Sequence, residues 1–251
     1  MNKIFVRRDK IISNSDNIEI IENKIRFLNN GKYLVEYSDI DDINLEYYVS
    51  NEISVTLFES CFLENIKVNN KYVINNGNLV VNKFYNVNNV LEKIDIDLCH
   101  DNDKLDYKFS NICKNNEEYL ININHMAKST NSNICNKSIA LDGSKLNFVI
   151  NSNVGREYEK SILNQNTRIV TFGNSDSKIS PNMYIDCDDI EARHGSVIGT
   201  FKDDLVFYLM SRGISYKDSV KLLVKGYLFS NINADNDLRE KILNVIDMYW
   251  R

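Results

Sequence analysis

A chain of 251 residues, 43% hydrophobic and 26% charged, has room for one large domain or one domain with an appendage, and its composition is that of an ordinary globular protein. Its net charge of −5 and pI near 5.3 argue against a dedicated nucleic-acid binder, which would carry a basic surface. The longest apolar run, Leu205–Met210, is too short to cross a bilayer, and Met1–Arg8 holds no apolar segment of signal-peptide length. Five cysteines (Cys61, Cys99, Cys113, Cys135, Cys187) contain no CxxC pair. They read as reduced thiols, and a cytoplasmic location is expected.

Asparagine is abundant, 38 residues, against 9 glycines and one proline, Pro181. A chain short of Gly and Pro turns on Asn, the next residue to tolerate the left-handed conformation, so Asn is expected to mark turns. Lys24–Leu28 and Lys32–Tyr37 flank Asn29-Asn30-Gly31, and Lys71–Ile74 and Asn78–Lys83 flank Asn75-Asn76-Gly77; both read as hairpins or tight turns. Lys93–Leu98 alternates as a half-buried strand should. Apolar clusters near Ile123, Phe148, Val170 and Ile190 recur at intervals of 25, 22 and 20 residues, separated by polar, turn-rich stretches. Such a recurrence fits the coils of a β-solenoid, and an irregular β-sandwich would read similarly.

Asparagine is absent from Met183 to Ser230, and after Gly199 the pattern becomes helical. Asp203–Arg212 has acids in its first turn and Arg in its last, with Gly213 following as a stop. Ser215-Tyr216-Lys217-Asp218 resembles a capping box and opens a second helix carrying Val220, Leu223, Val224 and Leu228; a third runs from about Asp237 to Tyr249. The organisation expected is a β body over 1–200 and a helical module over 201–251.

Much chemistry is missing. No GxxxxGK[ST] or GxGxxG is present, so the chain itself should bind no nucleotide; HExxH and GxSxG are absent too, and His100, His125 and His194 are scattered. Asp188-Asp189 and Asp203-Asp204 invite a paired-carboxylate reading, but neighbours on a strand face opposite ways, and a turn and a helix N-terminus explain them more simply. Ile190, Ala192, His194, Ser196 and Ile198 share one strand face, with Cys187 across a turn. Alone, such a histidine reads as hydrogen-bonded structure and such a thiol as a small hydrophobe.

The segment Asp188-Asp189-Ile190-Glu191-Ala192-Arg193-His194-Gly195-Ser196-Val197-Ile198-Gly199, continued by Leu205–Ser215 and by Leu222-Leu223-Val224-Lys225-Gly226-Tyr227-Leu228, resembles the C-terminal signature of the SufB/SufD family, core subunits of the SUF iron–sulfur cluster assembly machine. A weaker likeness runs through Ile123–Ala127 and Leu141–Ser144. The resemblance implies a right-handed parallel β-helix ending in helices, with the helices docking on a SufC-like ABC ATPase and the β-helix pairing edge to edge with a second SufB/SufD-like chain. It implies a non-enzymatic scaffold, at whose dimer interface an iron–sulfur cluster is transiently built.

Carried over residue by residue, the resemblance makes His194 the functional histidine and metal ligand candidate, with Cys187 a second candidate for handling sulfur or cluster. It places Val206, Leu209, Met210, Ile214, Leu223 and Tyr227 at the ATPase and Ile190, Ala192, Ser196 and Ile198 at the dimer seam. Around His194 the chain is closer to the SufD type, but Ala192 stands where that type has cysteine. The sulfur-handling cysteine of the SufB type, one coil upstream, is absent near Asn166–Arg168. Two alternatives stay open: a degenerate partner that only docks the ATPase, and a β-solenoid that binds or cleaves carbohydrate.

Overall fold

The computed structural model describes residues 2–8 and 10–250. An N-terminal group of short strands comprises β1 (Asn2–Arg7), β2 (Lys10–Ser13), β3 (Ile18–Ile21), β4 (Lys24–Phe27), β5 (Gly31–Tyr37) and β6 (Asp42–Ile43). Two long strands follow, β7 (Glu46–Cys61) and β8 (Asn65–Tyr85). Regular strands of nine or ten residues complete the body: β9 (Asn89–Leu98), β10 (Lys104–Cys113), β11 (Asn116–His125), β12 (Asn131–Ala140), β13 (Lys145–Val154), β14 (Ile162–Thr171), β15 (Asp176–Ile185) and β16 (Glu191–Gly199). Three helices end the chain, α1 (Asp203–Ser211), α2 (Tyr216–Phe229) and α3 (Asn236–Tyr249).

The body is a β-solenoid of about seven turns. Strand order is β15-β13-β11-β9-β8-β10-β12-β14-β16, so odd strands from β9 build one wall and even strands from β10 the other. Every pairing from β7 onward is parallel. One coil is 27 to 31 residues, the separation of stacked side chains such as Asp95 and Asn122, or Asn136 and Thr167. The shorter spacing of the apolar clusters mixes the walls: Ile123 and Phe148 lie on the odd wall, Val170 on the even one.

Neither Asn-Gly segment makes a hairpin. The strands flanking Asn29-Asn30-Gly31 do not pair with each other: β4 joins β3 and β7, while β5 joins β1 and β7. Asn75-Asn76-Gly77 lies inside the continuous strand β8, with Asn76 at φ 65°. There the chain turns a corner: Asn65–Ile74 joins the odd wall through β9, and Asn78–Tyr85 the even wall through β10. A single left-handed residue supplies a solenoid corner as readily as a hairpin, and short-range sequence does not separate the two.

Alternation sorts the side chains. Within β9 every second residue from Val90 to Leu98 is buried, and the interior is layered with stacked rings, Tyr47 on Tyr72 at 4.9 Å and Tyr119 on Phe148 at 4.8 Å. Asparagine does more than turn the chain. On the outer face Asp95 accepts from Asn122, Asn122 from Asn151 and Asn151 from Asn182, each at 2.7–2.8 Å. In-register parallel stacking lets each amide donate to the coil before it, and this favours Asn inside strands as well as at corners.

The helical module packs on an apolar stripe at the ends of the even strands. Phe84, Ile112, Ile139 and Val170 meet Val220, Val224, Leu228, Ile232, Ile242 and Ile246 in a core separate from the solenoid interior. Helices α2 and α3 are capped: the Ser215 hydroxyl accepts from the Asp218 amide, and the Asp235 carboxylate from the Leu238 amide. Gly213 follows α1 at φ 86°, the left-handed residue that the sequence marks as a stop. No helix among the described residues is long and apolar enough to cross a membrane.

Candidate functional site at the open end of the solenoid

The last coil has no successor. β15 pairs only with β13 and β16 only with β14, so both strands present a free edge at the C-terminal end of the body. Register fixes which residues appear there. The interior column Val81, Tyr107, Ile134, Gln165 continues into His194, and the column Phe109, Asn136, Thr167 continues into Ser196. Leu163 and Ile169 precede Ala192 and Ile198 in the same way. These four side chains occupy inward positions, yet all are exposed because nothing stacks beyond them.

The interior becomes polar as it approaches this end. Asn136 donates to Thr167 at 3.0 Å, and Gln165 donates to Ser152 at 2.7 Å and to the Asn182 carbonyl at 3.2 Å. His125 is buried among hydroxyls, with Nδ1 2.7 Å from Thr130 and Nε2 2.8 Å from Ser132; burial lowers its pKa to about 4, so the ring is neutral. His125 is thus the structural histidine, while His194 stands at the surface. Cys187 lies half-buried in the turn before β16, beside Asp188 and Asp189, and Ile190 is half-buried just before the strand. No hydrogen bond joins Cys187 to His194, and no group of three His, Cys, Asp or Glu side chains is gathered for a metal among the described residues. The chain alone therefore brings one imidazole, not a ligand set, to this edge.

The second part of the site is α1. None of its residues is buried: Leu205, Phe207, Tyr208 and Met210 are exposed, Val206 and Leu209 partly so. Val206 and Met210 line a cleft of about 390 Å³ closed by Phe172, Phe201, Tyr216 and Val220. Ile214 and Leu223 are half-buried, and Tyr227 is buried with its hydroxyl donating to the Arg168 carbonyl at 2.6 Å. Thus the six expected docking residues divide, with Met210 outward and Tyr227 against the body. Leu205, Phe207 and Tyr208, outside the expected set, are the more exposed apolar side chains of this helix. Their signal was present: six consecutive apolar residues encircle a helix, and a helix resting on a surface can bury only one stripe of them.

A second polar region lies inside the solenoid, where the side chains of Glu59, Lys83 and Glu92 are fully buried together.

The fold is thus a stacked parallel coil whose last two strands each leave one edge unpaired, beside an apolar helix with no buried residue. The model of the family "SUF system FeS cluster assembly, SufBD core domain" matches residues 72–227, and the chain belongs to this family. It is 30% identical over 106 residues to the iron–sulfur cluster assembly protein SufB of Bacillus subtilis, covering 41% of this chain and 23% of that protein. To the iron–sulfur cluster assembly protein SufD of Escherichia coli it is 23% identical over 150 residues, 51% of this chain and 36% of that one. A SufBD family protein of Mycobacterium leprae is 29% identical over 107 residues, 41% of this chain and 12% of its own length. The chain therefore spans far less than two thirds of these relatives.

Proposed function

We propose that this chain is a non-enzymatic subunit of a SUF-type iron–sulfur assembly complex, working in the cytoplasm with an ABC ATPase supplied in trans and with a second SufB/SufD-like chain. The observation that carries this reading is the open C-terminal edge lying next to an unburied apolar helix. A parallel edge strand with unsatisfied backbone groups is completed by another strand, and β16 with Ile190, Ala192, Ser196 and Ile198 is the seam. Cargo iron and sulfide meet this chain at that seam. His194 contributes one ligand, Cys187 in the turn before β16 is the candidate thiol, and the remaining ligands come from the partner because no thiolate set converges here.

The ATPase docks on α1 and the exposed flank of α2. Met210, Val206 and Leu209 are the anchors, Phe207 and Tyr208 extend them, and Ile214, Leu223 and Tyr227 hold the platform in place. Membership of a SUF assembly family argues against the carbohydrate reading. It leaves the degenerate partner, which docks the ATPase without holding cargo, as an outcome of the test.

The test is co-purification of a SufC-type ATPase with the full chain, followed by anaerobic reconstitution of the complex with iron and sulfide. Capture of the ATPase and a charge-transfer absorbance lost in His194→Ala are expected. Capture without any such absorbance makes the chain a docking partner only. Failure to capture the ATPase, with the fold intact, overturns the assignment.

A further inference from the structure

A fully buried charged cluster lies several strands away from that edge. Glu59 on β7, Lys83 on β8 and Glu92 on β9 project into the same coil, and none of their side chains has any solvent exposure. Lys83 Nζ contacts Glu92 Oε1 directly and lies 3.9 Å from Glu59 Oε2, and it also sits over the Tyr85 ring at 4.4 Å. With every member ionised, two carboxylates would face one ammonium, leaving a net negative charge in a medium that solvates charge poorly.

The two carboxyls are not equivalent. Glu59 is held as an anion is held: Oε1 accepts from Tyr72 at 2.5 Å, and Oε2 accepts from Tyr37 at 3.2 Å, with Tyr47 3.4 Å behind. Glu92 is asymmetric. Its Oε1 accepts from both Lys83 and Tyr85, while Oε2 is buried without a partner. A buried oxygen that accepts nothing leaves the ionised form poorly stabilised on that side, and a proton on it removes the charge. We infer that the cluster stores one proton, carried on Oε2 of Glu92, so that the centre of the solenoid is electrically neutral at physiological pH.

The surroundings agree. Burial, opposed by Lys83, raises the Glu92 pKa. The other titratable groups facing the cluster stay protonated. Burial and the neighbouring carboxylates push the hydroxyls of Tyr37, Tyr47, Tyr72, Tyr85 and Tyr107 well up, and burial pushes the Cys61 thiol up to about 12. None of them can neutralise a second carboxylate. The stored proton makes the core pH-sensitive: the folded state binds it more tightly than the unfolded chain, so stability is lost as pH rises through the folded value.

The experiment is infrared spectroscopy of the full chain in heavy water at pH 8, in a Glu117→Gln background that removes a second buried acid whose pKa is raised, to about 7. A carboxylic-acid carbonyl band is expected there and should vanish in E117Q/E92Q. Thermal unfolding at pH 8 should release about one proton more from E117Q than from E117Q/E92Q, the buried thiols contributing equally to both. Absence of the band in E117Q overturns the proposal. So does a band that survives in E117Q/E92Q and disappears in E117Q/E59Q, which would put the proton on Glu59. Should the double variants not fold, the band of E117Q decides alone.

Discussion

The side-chain amide of Asn231 donates to the main-chain oxygen of Phe109 at 2.8 Å, across 122 residues of chain. The same nitrogen lies 3.1 Å from the Cys135 carbonyl and 3.1 Å from the Ser110 hydroxyl, so one residue between α2 and α3 stitches the helical module to two adjacent strands. Asn231→Ala should cost about 1–3 kcal/mol, because it leaves buried carbonyls without their donor. The loss should appear as earlier melting and faster proteolysis after residue 230, with the β signal of the body unchanged. Cleavage no faster than in the wild type would show that apolar packing alone holds the module.

The two deeply buried groups His125 and Glu117 predict opposite pH responses. His125 has its folded pKa lowered to about 4 by burial, so its contribution is full above the unfolded value near 6.5 and is lost as pH falls towards 4. His125→Gln keeps hydrogen-bonding capacity towards Thr130 and Ser132 without the titration. Relative to the wild type it should gain up to ~3 kcal/mol between pH 6.5 and 4, read from denaturant melts across that range. An unchanged difference over those pH values would mean that the ring does not titrate where its burial requires.

Glu117 works in the reverse sense. Burial raises its pKa to about 7, while Asn111 and Tyr119 both donate to Oε2 and Oε1 has no partner. The folded state thus favours the protonated acid, and stability falls as pH rises from the ordinary carboxylate range to about 7. Glu117→Gln mimics the protonated form, and at pH 8 it should be more stable than the wild type by about 1–3 kcal/mol. At pH 4 the two should melt alike. A variant that is less stable at both pH values would show the carboxylate to be better accommodated than its burial allows.

These buried ionisable groups also show what the sequence could and could not carry. Val90, Glu92, Ile94 and Ile96 lie in one phase of an alternating strand, as do Leu79, Val81, Lys83 and Tyr85, so inward positions for Glu92 and Lys83 were legible from period two alone. What was not legible is their meeting, which depends on a register between strands joined through a corner at Asn76. The helices were legible almost to the residue, since Asp203, Gly213, Ser215 and Asp218 are local signals. The exposure of His194 was not, because Gln165 and His194 become neighbours only through the β14–β16 register, and β16 is left bare only by being last.

The division between Met210 and Tyr227 separates docking from folding. Met210 is exposed on α1, whereas Tyr227 is buried, bonded to the Arg168 carbonyl and packed edge-on to Phe201 at 5.9 Å. Met210→Asp, at the rim of the cleft, should cost no more than about 1 kcal/mol, a fall of about 2–4 °C in melting temperature. If Met210 is an anchor for the ATPase, the same change should weaken capture about thirtyfold, the equivalent of about 2 kcal/mol. Tyr227→Ala removes a packed ring and a buried hydrogen bond, and should cost about 3 kcal/mol of stability. Its effect on capture should follow from loss of the platform and be reversed by lowering the temperature. Thermal melts and ATPase pull-downs of both variants make the comparison. A stable Met210→Asp protein that captures the ATPase as well as the wild type would remove α1 from the docking surface, whatever Tyr227→Ala does.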